Sequence, residues 1–376
     1  MLKIFMTGDN HIGLKYSHHE KAETIISKRL EAFDNMVIKA NKEDCGLFVV
    51  TGDLFENNSN ILKKHISAVI KSLSAFKGYV AILPGNHDYY DKKSKLWQQF
   101  SEFSKVTDNI IVLTDFKKYT LNINDEEVVL YPALCQTSHS AAGENNLGWI
   151  KDEGIISDST YRIGIVHGAV EGETIDSEGA YFLMTRDELY SIPVDVWLIG
   201  HTHVPFPNNL SETEYKSGER IFNAGAHVQP NVSCNTDGEC FIITIDENKQ
   251  VCAKKYVSGN LRFFRKKIAL TAGDVEKKLA DELKECPDDS VVDLILSGAV
   301  SLDEYDRRDE LVKSALSRFI EGTYSDYELT KLISEELVKA EFAETSFSAQ
   351  FLSALLDKPK EAQLAYELLK QLKEEK

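Results

Sequence analysis

Five short segments carry the side chains suited to metal and proton chemistry: Asp9-Asn10-His11, Gly52-Asp53, Gly85-Asn86-His87-Asp88, His167-Gly168 and Gly200-His201-Thr202-His203. Carboxylate, amide oxygen and imidazole together suit hard or borderline divalent ions such as manganese, iron, zinc or magnesium rather than copper(I). Asp9-x-His11 and His201-x-His203 are i,i+2 pairs, which reach one centre only if the backbone curls around it, and a glycine next to each segment allows that approach. Asp53 stands alone between the pairs and is the expected bridge between two ions. Two ions about 3.5–4 Å apart would bind both non-bridging oxygens of a phosphoester and acidify a bridging water, so no protein nucleophile is needed. His87 would then protonate the leaving oxygen or stabilise the transition state, with Asp88 orienting it.

These residues need elements that bring them to one edge. Each segment follows a short apolar run, at 2–6, 47–50, 79–83, 163–166 and 196–199, continuous rather than alternating, as in strands covered on both faces. Helical patterns at 22–40 and 61–76 separate the first three, so this part reads as α/β. Ligands of an open α/β sheet gather at the carboxyl ends of its strands, and five such placements are not what a scattering of core histidines gives. A second group of runs at 128–131, 221–223, 241–245 and 251–257 lacks long intervening helices and suggests a second sheet packed on the first. His18, His19, His65 and His139 lie away from the strand ends and read as surface residues, and His227 follows Asn223-Ala224-Gly225-Ala226 as part of a structural turn.

After Leu261 the pattern changes. Arg262-Phe263-Phe264-Arg265-Lys266-Lys267-Ile268 reads as a strand, 275–283 as a helix and 291–297 as a second strand, with Pro287-Asp288-Asp289 as a turn. Beyond Arg307 the apolar spacing predicts helices, the last two carrying the stripes Phe347, Phe351, Leu352, Leu355, Leu356 and Ala365, Leu368, Leu369, Leu372. The expected organisation is a catalytic domain at 1–258, a small α/β cap at 259–305 and a helical tail at 306–376 that either packs internally or docks a partner.

Composition sets outer bounds. At 376 residues with 43% hydrophobic and 27% charged side chains, the chain is globular rather than fibrous or disordered. No apolar run approaches the roughly 20 residues needed to cross a bilayer. The Met1 start leads into a strand-like run rather than a signal peptide, and six cysteines without a CxxC pair favour reduced thiols, so a cytoplasmic protein is expected. A net charge of −17 excludes a broad basic coat for nucleic acid, since that affinity comes from lysine and arginine neutralising phosphates. A DNA substrate then depends on cations in the site or a basic partner.

The five motifs in this order resemble the calcineurin-like metallophosphoesterase superfamily, whose fold is a two-sheet β-sandwich flanked by helices. Within it, Gly52-Asp53-Leu54-Phe55 and the small α/β unit after Leu261 are similar to the SbcD-type DNA repair nucleases. The resemblance implies that Asp9, His11, Asp53 and His203 hold one manganese and Asp53, Asn86, His167 and His201 the other, with His87 as the catalytic histidine. It also implies a DNA-facing cap, a homodimer formed through the phosphoesterase domain around 94–103, and a tail docked on an SbcC-like coiled-coil ATPase. Many such nucleases carry a histidine directly after Asp-Leu-Phe, thought to assist the exonuclease step, where this chain has Glu56. An anion there would repel phosphate, which puts processive exonuclease action in doubt, while Glu56, Asn57 and Asn58 remain candidates for binding substrate.

The leading expectation is a manganese-dependent DNA nuclease, exo- or endonucleolytic, acting in double-strand-break repair with an SbcC-like ATPase. The alternatives are a phosphodiesterase or phosphatase for nucleotides or other small esters, which acidity and Glu56 favour, and a non-catalytic assembly subunit, which seven filled ligand positions disfavour.

Overall fold

The computed structural model describes residues 1–155, 160–172 and 179–374; residues 375–376, the end of the expected tail, lie outside the described set. The chain divides into two compact units, Met1–Leu261 and Arg262–Lys376. No helix among the described residues is long and apolar enough to cross a membrane.

The first unit contains β1 (Leu2–Thr7), β2 (Leu47–Val50), β3 (Tyr79–Ile82), β4 (Ile110–Val112), β5 (Tyr119–Ile123), β6 (Glu126–Ala133), β7 (Tyr161–His167), β8 (Val196–Gly200), β9 (Lys216–Ser217), β10 (Ile221–Asn223), β11 (Glu239–Ile245) and β12 (Val251–Val257). They form two sheets, β4-β3-β2-β1-β11-β12-β9 and β10-β8-β7-β6-β5. Strands β1 to β4 are mutually parallel, as are β6, β7, β8 and β10.

Alternate residues of one strand serve opposite layers, which is why the runs are continuous. Ile4, Met6, Leu47 and Val49 join Leu130, Ile163, Ile165 and Leu198 between the sheets. Phe5, Phe48, Val50 and Ile82 face the other way, onto Phe33, Met36, Ile66, Val69, Trp97 and Phe100 of α1 (Ala22–Lys42), α2 (Lys63–Ser74) and α3 (Lys95–Phe103). The outer face of the second sheet is covered through Leu147, Ile150 and Leu189, from around the short helices α4 (Gly148–Asp152) and α5 (Arg186–Ser191). This is the expected mixed α/β sandwich, but its partition differs from the expectation. Strands β7 and β8 lie in the second sheet, and β11 and β12 extend the first, β11 pairing antiparallel with β1. Both sheets are covered on both faces, so an apolar run carries no mark of the sheet it joins.

The second unit is a three-stranded parallel sheet, β13 (Arg262–Thr271), β14 (Ser290–Val300) and β15 (Glu321–Lys331), in that order. Helix α6 (Val275–Leu283) connects the first pair, and α7 (Leu302–Asp306) and α8 (Arg308–Leu316) the second. Leu279, Leu283, Leu294, Leu296, Leu311 and Leu316 share one core. Three helices follow, α9 (Glu335–Glu341), α10 (Phe347–Ser353) and α11 (Pro359–Glu374), closing a smaller core around Leu352, Ala362, Ala365 and Tyr366. The stretch from 307 on is therefore not all helical. Strand β15 completes the sheet begun by β13 and β14, so the small α/β unit runs past the boundary expected at 305. Thr323, Tyr324, Tyr327 and Thr330 favour a strand, and pairing along β14 outweighs the apolar spacing beyond Arg307, where Leu329, Leu332 and Leu337 also fit a helix.

Candidate metal centre

The parallel strands deliver their loops in register. Beyond β1 and β2, Asp9 N–H donates to Gly52 O at 3.1 Å and His11 N–H to Asp53 O at 2.9 Å; beyond β7 and β8, Gly168 N–H donates to Gly200 O at 3.2 Å. The turns are tight enough to hold Asp9, His11 and Asp53 at φ of 48°, 46° and 52°, a left-handed region that side chains other than glycine seldom occupy. Gly52, at φ 106°, lies under the His167 ring, and a Cβ there would overlap it; a Cβ on Gly85 would strike the Asp53 carboxylate and amide nitrogen. Arg29, buried in α1, braces the floor by donating to the carbonyls of Asn10 at 2.8 Å and Val228 at 3.2 Å.

All seven expected ligands converge. His11 Nε2 is 3.0 Å from His203 Nε2, and Asp9, His11 and His203 bring ligand atoms within 4.8 Å of one another. On the other side, Asn86 Oδ1 lies 2.9 Å from His167 Nε2 and 3.1 Å from His201 Nδ1. Asp53 stands between the groups, its Oδ2 3.3 Å from His167 Nε2 and 3.8 Å from His11 Nε2. Asp9 accepts the His201 backbone N–H at 3.0 Å, tying the two segments together.

The donor set fits divalent cations. His167 Nδ1–H donates to Thr51 O at 2.8 Å, so it is Nε2 that meets Asn86 Oδ1 and, once deprotonated, turns a lone pair toward that acceptor. His11 repeats the arrangement: its Nδ1 is 3.0 Å from Glu56 Oε2, leaving Nε2 to face His203. With the protons on those inner nitrogens displaced, lone pairs close on one another, an arrangement that a cation satisfies. Charge balance agrees. Burial, reinforced by the Asp53 charge, pushes the Asp9 carboxyl up to about 7. Burial likewise opposes ionisation of Asp53, but His167 and His11 outweigh it and hold that carboxyl well below its usual range. Burial opposes a charge on His167 too, yet Asp53 beside it raises the ring to about 9, while burial and the neighbouring His11 push His203 down to about 4. Protons thus partly offset the crowded anions, and metal binding would displace them.

His87 sits exposed at the mouth, edge-on to the His11 ring with centroids 4.7 Å apart; its backbone N–H donates to Asp53 Oδ1 at 2.8 Å and its Nδ1–H to Glu56 O at 3.0 Å. Asp88 does not orient it. That carboxylate is fully buried and accepts the backbone N–H groups of Gly85 at 2.7 Å and Phe55 at 3.0 Å, so it holds two ligand loops together. Glu56 borders the cleft as expected, and its carboxylate also engages His11 Nδ1 at 3.0 Å. Asn57 and Asn58 line the cleft, but Asn57 Oδ1 caps its own turn by accepting Asn60 N–H at 2.7 Å, and Asn58 O accepts from Ser94 Oγ at 3.0 Å.

The cleft over the centre has a volume of about 530 Å³ and includes Tyr89, Ser138, His139 and Tyr181, none of them among the expected site residues. Tyr181 stacks on His201 with centroids 4.9 Å apart, and His139 tilts against Tyr181 at 5.1 Å. They lie in loops that meet only through the fold, Ser140 N–H donating to Ala180 O at 2.8 Å, and no local spacing marks them. His227 has the expected structural place, buried with Nε2–H donating to Arg29 O at 3.2 Å. His65, expected at the surface, is buried on the inner face of α2.

Among solved structures the chain is similar to a purple acid phosphatase isolated from yellow lupin (Lupinus luteus) seeds, with 13% identity and a TM-score of 0.37, covering 68% of this chain and 51% of that one. It is also similar to a dimetal phosphatase from Danio rerio, with 9% identity and a TM-score of 0.36, covering 68% of this chain and 98% of that one. The chain thus spans about half the length of the lupin enzyme. No curated protein matches it. The family model for calcineurin-like phosphoesterases matches residues 2–205, more than half of the chain and a segment holding all seven converging side chains. The chain belongs to the calcineurin-like phosphoesterases, metal-dependent hydrolases of phosphoesters.

Proposed function

We propose that this phosphoesterase is a manganese-dependent DNA nuclease, cleaving phosphodiesters exo- or endonucleolytically in double-strand-break repair as the nuclease subunit of an SbcCD-like complex. The observation that carries the reading is the form of the site. The centre floors a cleft whose rims, His87 on one side and Ser138 and His139 on the other, are exposed, so a chain-like substrate can cross it. Sites for small esters enclose most of the ligand surface instead. Two divalent ions bound there would place positive charge against the phosphate oxygens and supply an acidified water. His87, with Nδ1–H held by the Glu56 carbonyl, presents Nε2 to the leaving oxygen; as the imidazolium it carries a second proton on Nε2, gives that proton to the leaving oxygen and is left as the neutral Nδ1–H ring. Asp53 and Asn86, fixed by neighbouring backbone and rings, need no rearrangement as charge develops.

The second unit supports a partner. In α11, Leu364, Leu368 and Leu372 recur every four residues and are 60%, 52% and 60% exposed, and Phe347 of α10 is 75% exposed. Those helices close their own core with other faces, so this stripe is left for the coiled coil of an SbcC-like ATPase. A homodimer around α3 is a further proposal, although Leu96, Trp97 and Phe100 are buried in their own unit and Val106 just beyond is the exposed apolar residue there.

The test is manganese-dependent degradation of linear and hairpin DNA by the purified protein, alone and with its ATPase. His87→Ala should lower the rate about 10²–10⁴-fold. Absence of nuclease activity in both settings removes the proposal. The charge of −17 favours the second reading, a phosphodiesterase or phosphatase for nucleotides or other small esters. A panel of such esters against DNA at equal manganese decides between them, and a large preference for the small esters establishes the second.

A further inference from the structure

Glu56 joins the parts of the centre through three separate contacts. Its Oε2 lies 3.0 Å from His11 Nδ1, its carbonyl accepts His87 Nδ1–H at 3.0 Å, and its backbone N–H donates to Ile12 O at 3.1 Å. The carboxylate and the metal side lie on opposite edges of the His11 imidazole, since the far nitrogen, Nε2, is the one that meets His203 at 3.0 Å and Asp53 at 3.8 Å. Glu56 therefore meets the centre through the outer nitrogen of His11 rather than beside its metal-facing atom; its side chain is 28% exposed and borders the cleft.

We propose that Glu56 is a positioning residue of the metal centre: its carboxylate fixes His11 as the Nδ1–H tautomer with Nε2 as the binding atom, and so raises metal affinity in the Asp9, His11 and His203 group. A carboxylate accepting from the far nitrogen of a ligand imidazole orients the ring and increases its basicity, and losing such a partner costs about 10–100-fold in metal affinity. A histidine at 56 carries no such anion. The Glu56 charge also offsets part of the positive charge that two divalent ions bring. The glutamate thus acts on the metal through the His11 ring. The proposal rests on the metal-centre reading and not on the nature of the ester.

The experiment is calorimetric titration of metal-stripped full-length protein with manganese chloride, for the unaltered chain, Glu56→Gln and Glu56→Ala. Two ions per chain are expected throughout. Glu56→Ala should weaken one of them about 10–100-fold, and Glu56→Gln less, because the amide oxygen still accepts from Nδ1–H. In the metal-free protein, the downfield-shifted proton on His11 Nδ1 should be present in the unaltered chain and Glu56→Gln and lost in Glu56→Ala. Unaltered affinities in Glu56→Ala overturn the proposal. So does a loss in Glu56→Ala that Glu56→Gln does not partly relieve, since an accepting oxygen would then be without effect. If the unaltered chain itself takes up fewer than two ions, the metal-centre reading fails instead.

Discussion

The two units differ in where they tolerate strain. All ten non-glycine residues with positive φ among the described residues lie in Met1–Leu261, and Asp9, His11, Asp53 and His201 of the metal centre are four of them. Among its described residues, Arg262–Lys376 bends the same way only at Gly273 and Gly298. Buried polar side chains follow suit: Ser290, Glu321 and Thr330 are the second unit's share, against the first unit's cluster of Asp9, Asn10, His11, Asp53, Asn86, Asp88 and His167. Residues held in sparsely populated backbone regions cost of order 1–3 kcal/mol each and persist only where surrounding structure enforces them. Here the enforcement comes from two packed sheets and the backbone hydrogen bonds that run on past their strands. The second unit, built from plain βα crossovers and helices, stores little of this kind.

The sharpest break of that contrast is Asp53→Asn. It keeps the shape but removes the charge shared by both metal groups, and phosphoesterase activity should fall by on the order of 10³-fold or more. Manganese at 100 times its dissociation constant should stabilise the unaltered first unit by about 2.7 kcal/mol, and this gain should vanish in Asp53→Asn. The second unit's transition should be indifferent to manganese in both proteins. Thermal unfolding with and without manganese measures this, and a metal-induced shift that survives Asp53→Asn would move the bridge elsewhere.

The converse change is Leu279→Ala. Leu279 is fully buried in the second unit's core beside Leu283 and Leu311, so its truncation should cost about 2–5 kcal/mol. Trp97, Trp149 and Trp197 all lie in the first unit. Tryptophan fluorescence therefore follows that unit alone during urea unfolding, whereas far-ultraviolet circular dichroism follows both. Leu279→Ala should advance part of the dichroism transition, leave the fluorescence transition in place, and keep hydrolysis of a small phosphodiester within about twofold. Equal shifts of both probes would show that the units unfold as one cooperative block.

The same contrast governed how much was legible in the sequence. The seven ligands stand directly beyond apolar runs, and a parallel sheet aligns such positions at one edge, so chemistry and place could be read together. The β7–β8 and β11–β12 partition could not, because sandwich strands covered on both faces look alike in sequence. Strand β15 was hidden by leucines whose spacing also fits a helix, and only pairing with β14 separates the two. Within the site, the partners of Asp88 and Glu56 depended on how loops cross, since Asp88 reaches Phe55 N–H and Glu56 reaches His11 over 33 and 45 residues of chain. Tyr181 against His201 is a tertiary meeting of the same kind.

The smallest expected effect concerns pH, and Glu43 is where it should appear. This carboxylate accepts from Lys39 Nζ at 2.7 Å and Lys254 Nζ at 2.9 Å, stitching the end of α1 to β12, while its backbone carbonyl takes Lys3 Nζ at 2.6 Å. Partial burial opposes its ionisation, but the two lysines outweigh that and lower it from 4.5 to about 2. A depressed folded value means the contribution is complete above about pH 4.5 and disappears as pH falls toward 2. After allowance for solvent screening it is worth about 1–2 kcal/mol. Glu43→Gln should therefore lower the first unit's stability by that amount at pH 7, with the difference closing between about pH 4.5 and 2. Urea titrations followed by tryptophan fluorescence across that window measure it. In the second unit, Glu304 is also lowered: its partial burial is outweighed by hydrogen bonds from Ser301 and the Gly273 backbone. Glu304→Gln at pH 7 should therefore register in the dichroism transition and leave the fluorescence transition unmoved, separating the units by the same two probes as Leu279→Ala.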